Sequence, residues 1–157
     1  MPYKIASKTQ HKFKPKPKAK LKAKPKSKKH VNSIPTEFNG IKFRSQHEVK
    51  FYSRYLDSGI GFPIAYEKQT FVLQEQFVYE GKKVNAISYK ADFIITLPDG
   101  MKLVTEIKGR ETEVFSLKVR LIKKYFQDKE NEYKYVVLYT VKDMQNFIET
   151  LKLYKLQ

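Results

Sequence analysis

Tyr89-Lys90-Ala91-Asp92-Phe93-Ile94-Ile95, the turn Leu97-Pro98-Asp99-Gly100 and Leu103-Val104-Thr105-Glu106-Ile107-Lys108-Gly109 together decide how this chain folds. Two β-prone hydrophobic runs flank a Pro-Asp-Gly turn, so Ile87 to Leu97 and Lys102 to Lys108 are expected to form an antiparallel hairpin. Side chains alternate across a strand. Glu106 and Lys108 therefore leave one face together, while Ile107 points the other way into apolar packing. Asp92 interrupts an otherwise hydrophobic strand, where a lone carboxylate is costly unless it is paired or binds a cation. The hairpin brings it near Glu106, and Gly109 lets the chain turn or another backbone approach.

Two carboxylates with nearby backbone carbonyls suit Mg²⁺ or Mn²⁺, hard ions that take oxygen ligands and keep several waters. Such an ion acidifies a bound water and polarises a phosphate, while Lys108 can orient or deprotonate the nucleophile and offset phosphate charge. The chemistry to expect is phosphodiester hydrolysis. An isolated Glu-x-Lys is usually just a solvated ion pair, so the surrounding elements decide its meaning.

Upstream, Phe38 to Phe43 carries hairpin turn chemistry at Asn39-Gly40. Ser45 then offers a helix N-cap, and with Glu48 three residues later it matches a capping box. The helix is predicted to run to about Asp57, ending at Gly59 and Gly61. A first strand is expected over Ala65 to Leu73, with a turn around Tyr79 to Lys83 before the second. Downstream, Phe115, Val119, Ile122 and Phe126 fall at helical spacing and predict a helix from about Glu113 to Lys129. Tyr135 to Tyr139 reads as a strand buried on both faces, and Lys142 to Tyr154 as a last helix. The order is helix, three strands, helix, strand, helix: an α/β fold around a mixed central sheet.

The formal net charge of the 157 residues is +16, from 32 Lys and Arg against 16 Asp and Glu, and it is unevenly spread. Residues 1–30 hold twelve lysines and no acid, which leaves the remainder at only +4. Lys12, Lys14, Lys16, Lys18, Lys20, Lys22 and Lys24 recur at every second position, broken by Pro15 and Pro17. Like-charge repulsion and a lack of apolar residues predict an extended, solvated tail and linker over 1–36, followed by one folded domain over 37–157. Such a tail suits a polyanion, because neutralised phosphates release counterions.

The absence of cysteine excludes disulfides, thiolate zinc sites and cysteine nucleophiles. No apolar run reaches the roughly 20 residues that span a bilayer, and no signal-peptide pattern is seen. A soluble, cytoplasmic protein is expected.

Asp92, a turn, then Glu106-Ile107-Lys108 on a hydrophobic strand, with Glu48 on a preceding helix, resembles the PD-(D/E)XK nuclease superfamily. Ala91 stands where that pattern usually has proline. More narrowly, Phe43-Arg44-Ser45-Gln46-His47-Glu48, Tyr66-Glu67-Lys68-Gln69, Tyr89 to Phe93, Glu106 to Gly109 and Leu117-Lys118 resemble small phage-encoded endonucleases of the Holliday-junction-resolvase kind. The resemblance covers about Phe38 to Val141. It implies an αβββαβ restriction-endonuclease-like core, here with a C-terminal helix added. It further implies Asp92, Glu106 and Glu48 as metal ligands, Lys108 as the catalytic lysine and host cytoplasm as the location.

Glu48 has a competing role as the capping-box acid. Lys118, beside the apolar stripe of its helix, can reach a phosphate near the site, and Gln69 is a candidate DNA contact or an ordinary strand-edge residue. The expected function is a Mg²⁺- or Mn²⁺-dependent DNA endonuclease selective for branched structure, acting in phage or mobile-element recombination, replication or packaging. A homodimer would provide two sites for paired nicks. The alternatives are an inactive nucleic-acid-binding protein with a nuclease fold, and a basic RNA-associated protein resting on the tail alone.

Overall fold

In a computed structural model, the structure of the protein describes residues 34–156. The lysine-rich stretch with Lys12 to Lys24 lies outside the described residues. A short hairpin of β1 (Thr36–Phe38) and β2 (Ile41–Phe43) leads into α1 (Gln46–Asp57). Its two-residue turn has Asn39 and Gly40 both at positive φ, the backbone that matches strand twist. Ser45 caps α1 by accepting the Glu48 N–H at 3.3 Å, and Phe51 and Tyr55 form the helix's buried side.

The expected first and second strands are each broken in two. β3 (Ile64–Tyr66) pairs with β8 (Phe93–Thr96), and β4 (Thr70–Gln74) pairs with β7 (Ile87–Lys90), all antiparallel. Between these two ladders, three residues (Glu67, Lys68, Gln69) oppose two (Ala91, Asp92), so the long hairpin carries an extra residue and bends. The bend is held by Glu67 N–H donating to the Asp92 carbonyl at 2.9 Å and Ala91 N–H donating to the Gln69 carbonyl at 3.2 Å. Beyond β4, the hairpin of β5 (Phe77–Tyr79) and β6 (Lys82–Val84) is largely exposed.

Strand β9 (Lys102–Ile107) follows β8 through the Pro98-Asp99-Gly100 turn, where Leu97 N–H donates to the Met101 carbonyl at 2.8 Å. α2 (Glu113–Phe126) then crosses to β10 (Tyr133–Leu138), which pairs parallel with β9, as a helical crossover permits. The chain continues into α3 (Val141–Lys155). The main sheet has order β10-β9-β8-β3, so it is mixed, as expected. β10 is an edge strand, with only Leu138 fully buried. The expectation of a strand buried on both faces is corrected: its continuous apolar run is half covered, by helices from either side, because β9 occupies only one of its edges.

Two apolar clusters sandwich the sheet. Phe93, Ile95, Leu103 and Ile107 pack with Phe51 and Tyr55 of α1 and with Met144, Ile148 and Leu151 of α3. On the other face Ile94 and Val104 pack with Ile122 and Phe126 of α2, Phe71 of β4, and Tyr89 of β7. Among the described residues no helix is long and apolar enough to cross a membrane.

Candidate active site

The site lies where the sheet's second face runs out of apolar cover, at the C-terminal end of β9 and the break between β7 and β8. The β8–β9 ladder stops at Phe93 opposite Thr105, and the next position, Asp92, faces Glu106. There the side chain replaces the strand: Asp92 Oδ2 accepts the Ile107 N–H at 2.9 Å. The Oδ1 atom receives no hydrogen bond among the described residues. Glu106 Oε2 accepts the Tyr89 hydroxyl at 2.8 Å, and Oε1 lies 3.7 Å from Lys108 Nζ. The Lys108 ammonium also sits 4.5 Å over the Phe115 ring, so the first turn of α2 braces it.

Asp92 and Glu106 are only 8% and 7% exposed, although both line a cleft of about 370 Å³. Burial, reinforced by the neighbouring Glu106 charge, pushes the Asp92 carboxyl up to about 7, against the opposing pull of the Ile107 N–H. Burial also raises the Glu106 carboxyl, despite the Tyr89 hydroxyl and Lys108. Tyr89 is itself driven well above the usual phenol range by burial and by Glu106, so it stays a hydrogen-bond donor. Two carboxyls crowded together, with only Lys108 near one of them to offset the charge, are a pair that a cation would relieve. Their all-oxygen donor set fits Mg²⁺ or Mn²⁺, which one or two carboxylates can hold with water and phosphate completing the shell.

Glu48 is not gathered into that donor set. Among the described residues no three His, Cys, Asp or Glu side chains come together as a metal-holding group. Its Oε1 accepts the Ser45 hydroxyl at 2.7 Å, and its Oε2 accepts the Tyr66 hydroxyl at 2.7 Å and the Arg44 N–H at 3.0 Å. The expected capping box is thus altered, since the glutamate returns to the Ser45 hydroxyl and the Arg44 backbone rather than to the Ser45 N–H. Glu48 is still close enough for its charge to raise both Asp92 and Glu106.

Lys118 lines the cleft together with Arg44, Lys90 and Lys108. Gln69 does not: its amide reaches the Tyr133 hydroxyl at 3.5 Å, and its carbonyl closes the strand bend. Sequence reasoning missed Arg44, Lys90 and Tyr89 as cleft residues. Lys90 stands two positions from Asp92, where plain alternation already puts it on the same face, whereas Tyr89 lies three positions away and reaches that face because the bend resets the alternation. Tyr89 and Ala91 consequently pack on the same face as Ile94. Arg44 stood out only as a member of the Phe43 to Glu48 stretch that carries the resemblance, just before a helix cap.

A family model described as "Protein of unknown function (DUF1064)" matches residues 22–145, and the chain belongs to that family. The matched segment contains Glu48, Asp92, Glu106, Lys108 and Lys118. No curated protein and no solved structure matches the chain.

Proposed function

We propose that this member of the family hydrolyses phosphodiester bonds in DNA, with Mg²⁺ or Mn²⁺ held by Asp92 and Glu106 and with Lys108 as the catalytic lysine. One observation carries the reading: a single cleft joins two buried, mutually repelling carboxylates to four cations, Arg44, Lys90, Lys108 and Lys118. The likeness to PD-(D/E)XK nucleases supports it from the sequence side. When bound, the ion would polarise the scissile phosphate and acidify a water.

The chain's own groups do the rest. Tyr89 holds Glu106 in one orientation through its hydroxyl, and the Ile107 N–H does the same for Asp92. Lys108, braced by Phe115, offsets the negative charge that builds on the phosphate as water attacks. Lys118 stands on α2 where it meets the backbone of the same strand. Cations of this kind contact phosphates without reading bases, so selectivity for branched DNA, such as a four-way junction, fits better than selectivity for a base sequence. The lysine-rich N-terminal stretch adds affinity of the same sequence-independent type.

The test is cleavage of linear duplex, single-stranded and four-way-junction DNA with Mg²⁺. Lys108→Ala and Asp92→Asn are expected to lower the rate by about 10²–10³-fold, the usual cost of losing one charge-stabilising group. Equal product from wild type and both variants would sink the assignment, and binding without cleavage by all three would leave an inactive nucleic-acid-binding protein.

A further inference from the structure

Arg44 and Lys90 arrive at the cleft from different elements, one from the end of β2 and the other from the end of β7, yet both pair with the same carboxylate. Arg44 forms an ion pair with Glu67 Oε1, and Lys90 Nζ lies 2.8 Å from Oε2. The glutamate side chain is 16% exposed, whereas those of the two cations are 57% and 42% exposed. Burial alone would raise the Glu67 carboxyl, but the hydrogen bond from Lys90 and the ion pair with Arg44 hold it below the usual range. It therefore stays ionised behind the cations, which are left open to solvent in front.

The support beneath this triad is extensive for a surface ion pair. Glu67 sits at the strand bend with φ of 46°, a left-handed conformation that non-glycine residues seldom keep unless their surroundings demand it. Its N–H is tied to the Asp92 carbonyl, so the triad and the acidic pair share one piece of backbone. Arg44 is fixed from behind as well: its N–H donates to Glu48 Oε2 and to the Tyr66 hydroxyl, each at 3.0 Å. Two long cationic side chains are thereby held beside the cleft instead of sweeping through solvent.

We infer that Arg44 and Lys90 form a clamp for a DNA phosphate flanking the scissile one, with Glu67 and Glu48 as its positioning residues. The inference rests on the reading that the cleft takes DNA. It gives Glu48 a task that its three hydrogen bonds account for: the acid fixes the backbone that carries Arg44. It also gives a role to a glutamate beside a cleft that must attract anions, since the Glu67 charge orders two cations whose outer faces stay open.

The experiment is binding of a fluorescein-labelled DNA duplex in EDTA, read by anisotropy over a range of salt, so that affinity is measured without cleavage. Each of Arg44→Ala and Lys90→Ala is expected to reduce the slope of log affinity against log salt by about 0.9, and the double variant by about twice that. Arg44→Lys and Lys90→Arg keep the charge and should keep the slope. Glu67→Gln is the sharper arm. If Glu67 merely offsets charge, its removal tightens binding; as a positioning residue, its removal weakens binding several-fold although the protein becomes more positive. Unchanged slopes in the double variant, tighter binding by Glu67→Gln, or no binding by wild type would overturn the clamp. A protein that cuts DNA with unchanged slopes loses the clamp and keeps the hydrolase reading. One that cuts nothing but shows the slope losses loses the hydrolase reading and keeps the clamp as a contact to a DNA phosphate at the cleft.

Discussion

The two faces of β9 show how one strand serves two opposed demands. Leu103 and Ile107 enter the hydrophobic cluster formed with α1 and α3, and the one buried hydroxyl between them, that of Thr105, turns back to the Leu103 carbonyl, so burial there is favourable. Val104 starts the other face in apolar company, but the next residue on that side, Glu106, is nearly as buried as Ile107 and carries a carboxylate facing Asp92. The first face stabilises the sheet. The second holds two acids in a state that the fold alone does not relieve, which is how sites that bind cations commonly differ from cores.

That contrast can be broken by one substitution on each side. Ile107→Ala should destabilise the protein by about 2–5 kcal/mol, because a buried isoleucine leaves both transfer energy and a cavity behind. Denaturant melts measure it, and a loss below about 1 kcal/mol would mean that this face is not the structural one. Asp92→Asn should act in the opposite direction, stabilising the metal-free protein at pH 8 by about 1–3 kcal/mol, because it removes one of two repelling charges while an amide oxygen can still accept the Ile107 N–H.

The sign of the pH dependence follows from the same pair. The folded Asp92 carboxyl, at about 7, lies above its ordinary 3.8, so between these values the native state holds a proton that the unfolded chain has released. Stability of the metal-free wild type should therefore fall as pH rises through this window, and the fall should be smaller in Asp92→Asn. Thermal melts at pH 5 and pH 8 in EDTA test this. A difference of the same size in both proteins would remove Asp92 as its cause.

Much of this was legible in the sequence because it depends on local chemistry. The Pro98-Asp99-Gly100 turn fixed the β8–β9 pairing, and the two-residue alternation put Glu106 and Lys108 on one face and Ile107 on the other. The Ser45 cap and the stripe of Phe115, Ile122 and Phe126 placed their helices to within a residue or two at the starts. What stayed hidden depends on tertiary geometry. The bend at Glu67–Gln69 and Ala91–Asp92 arises from how two strands of unequal length are matched, and no single residue announces it. Arg44 and Lys90 converge on Glu67, which sits at that bend. Glu48 was legible as both a cap and a site acid. The structure shows its oxygens engaged at the helix start, with only its charge reaching Asp92 and Glu106.

The central claim is that Asp92 and Glu106 form a two-carboxylate metal site, and Mn²⁺ binding to the full chain, followed by electron paramagnetic resonance, tests it most directly. Wild type and Glu48→Gln should both take up the ion, while Asp92→Asn and Glu106→Gln bind it at least about 10-fold more weakly, since each removes one of two protein ligands. Equal Mn²⁺ uptake by all four proteins would contradict the account.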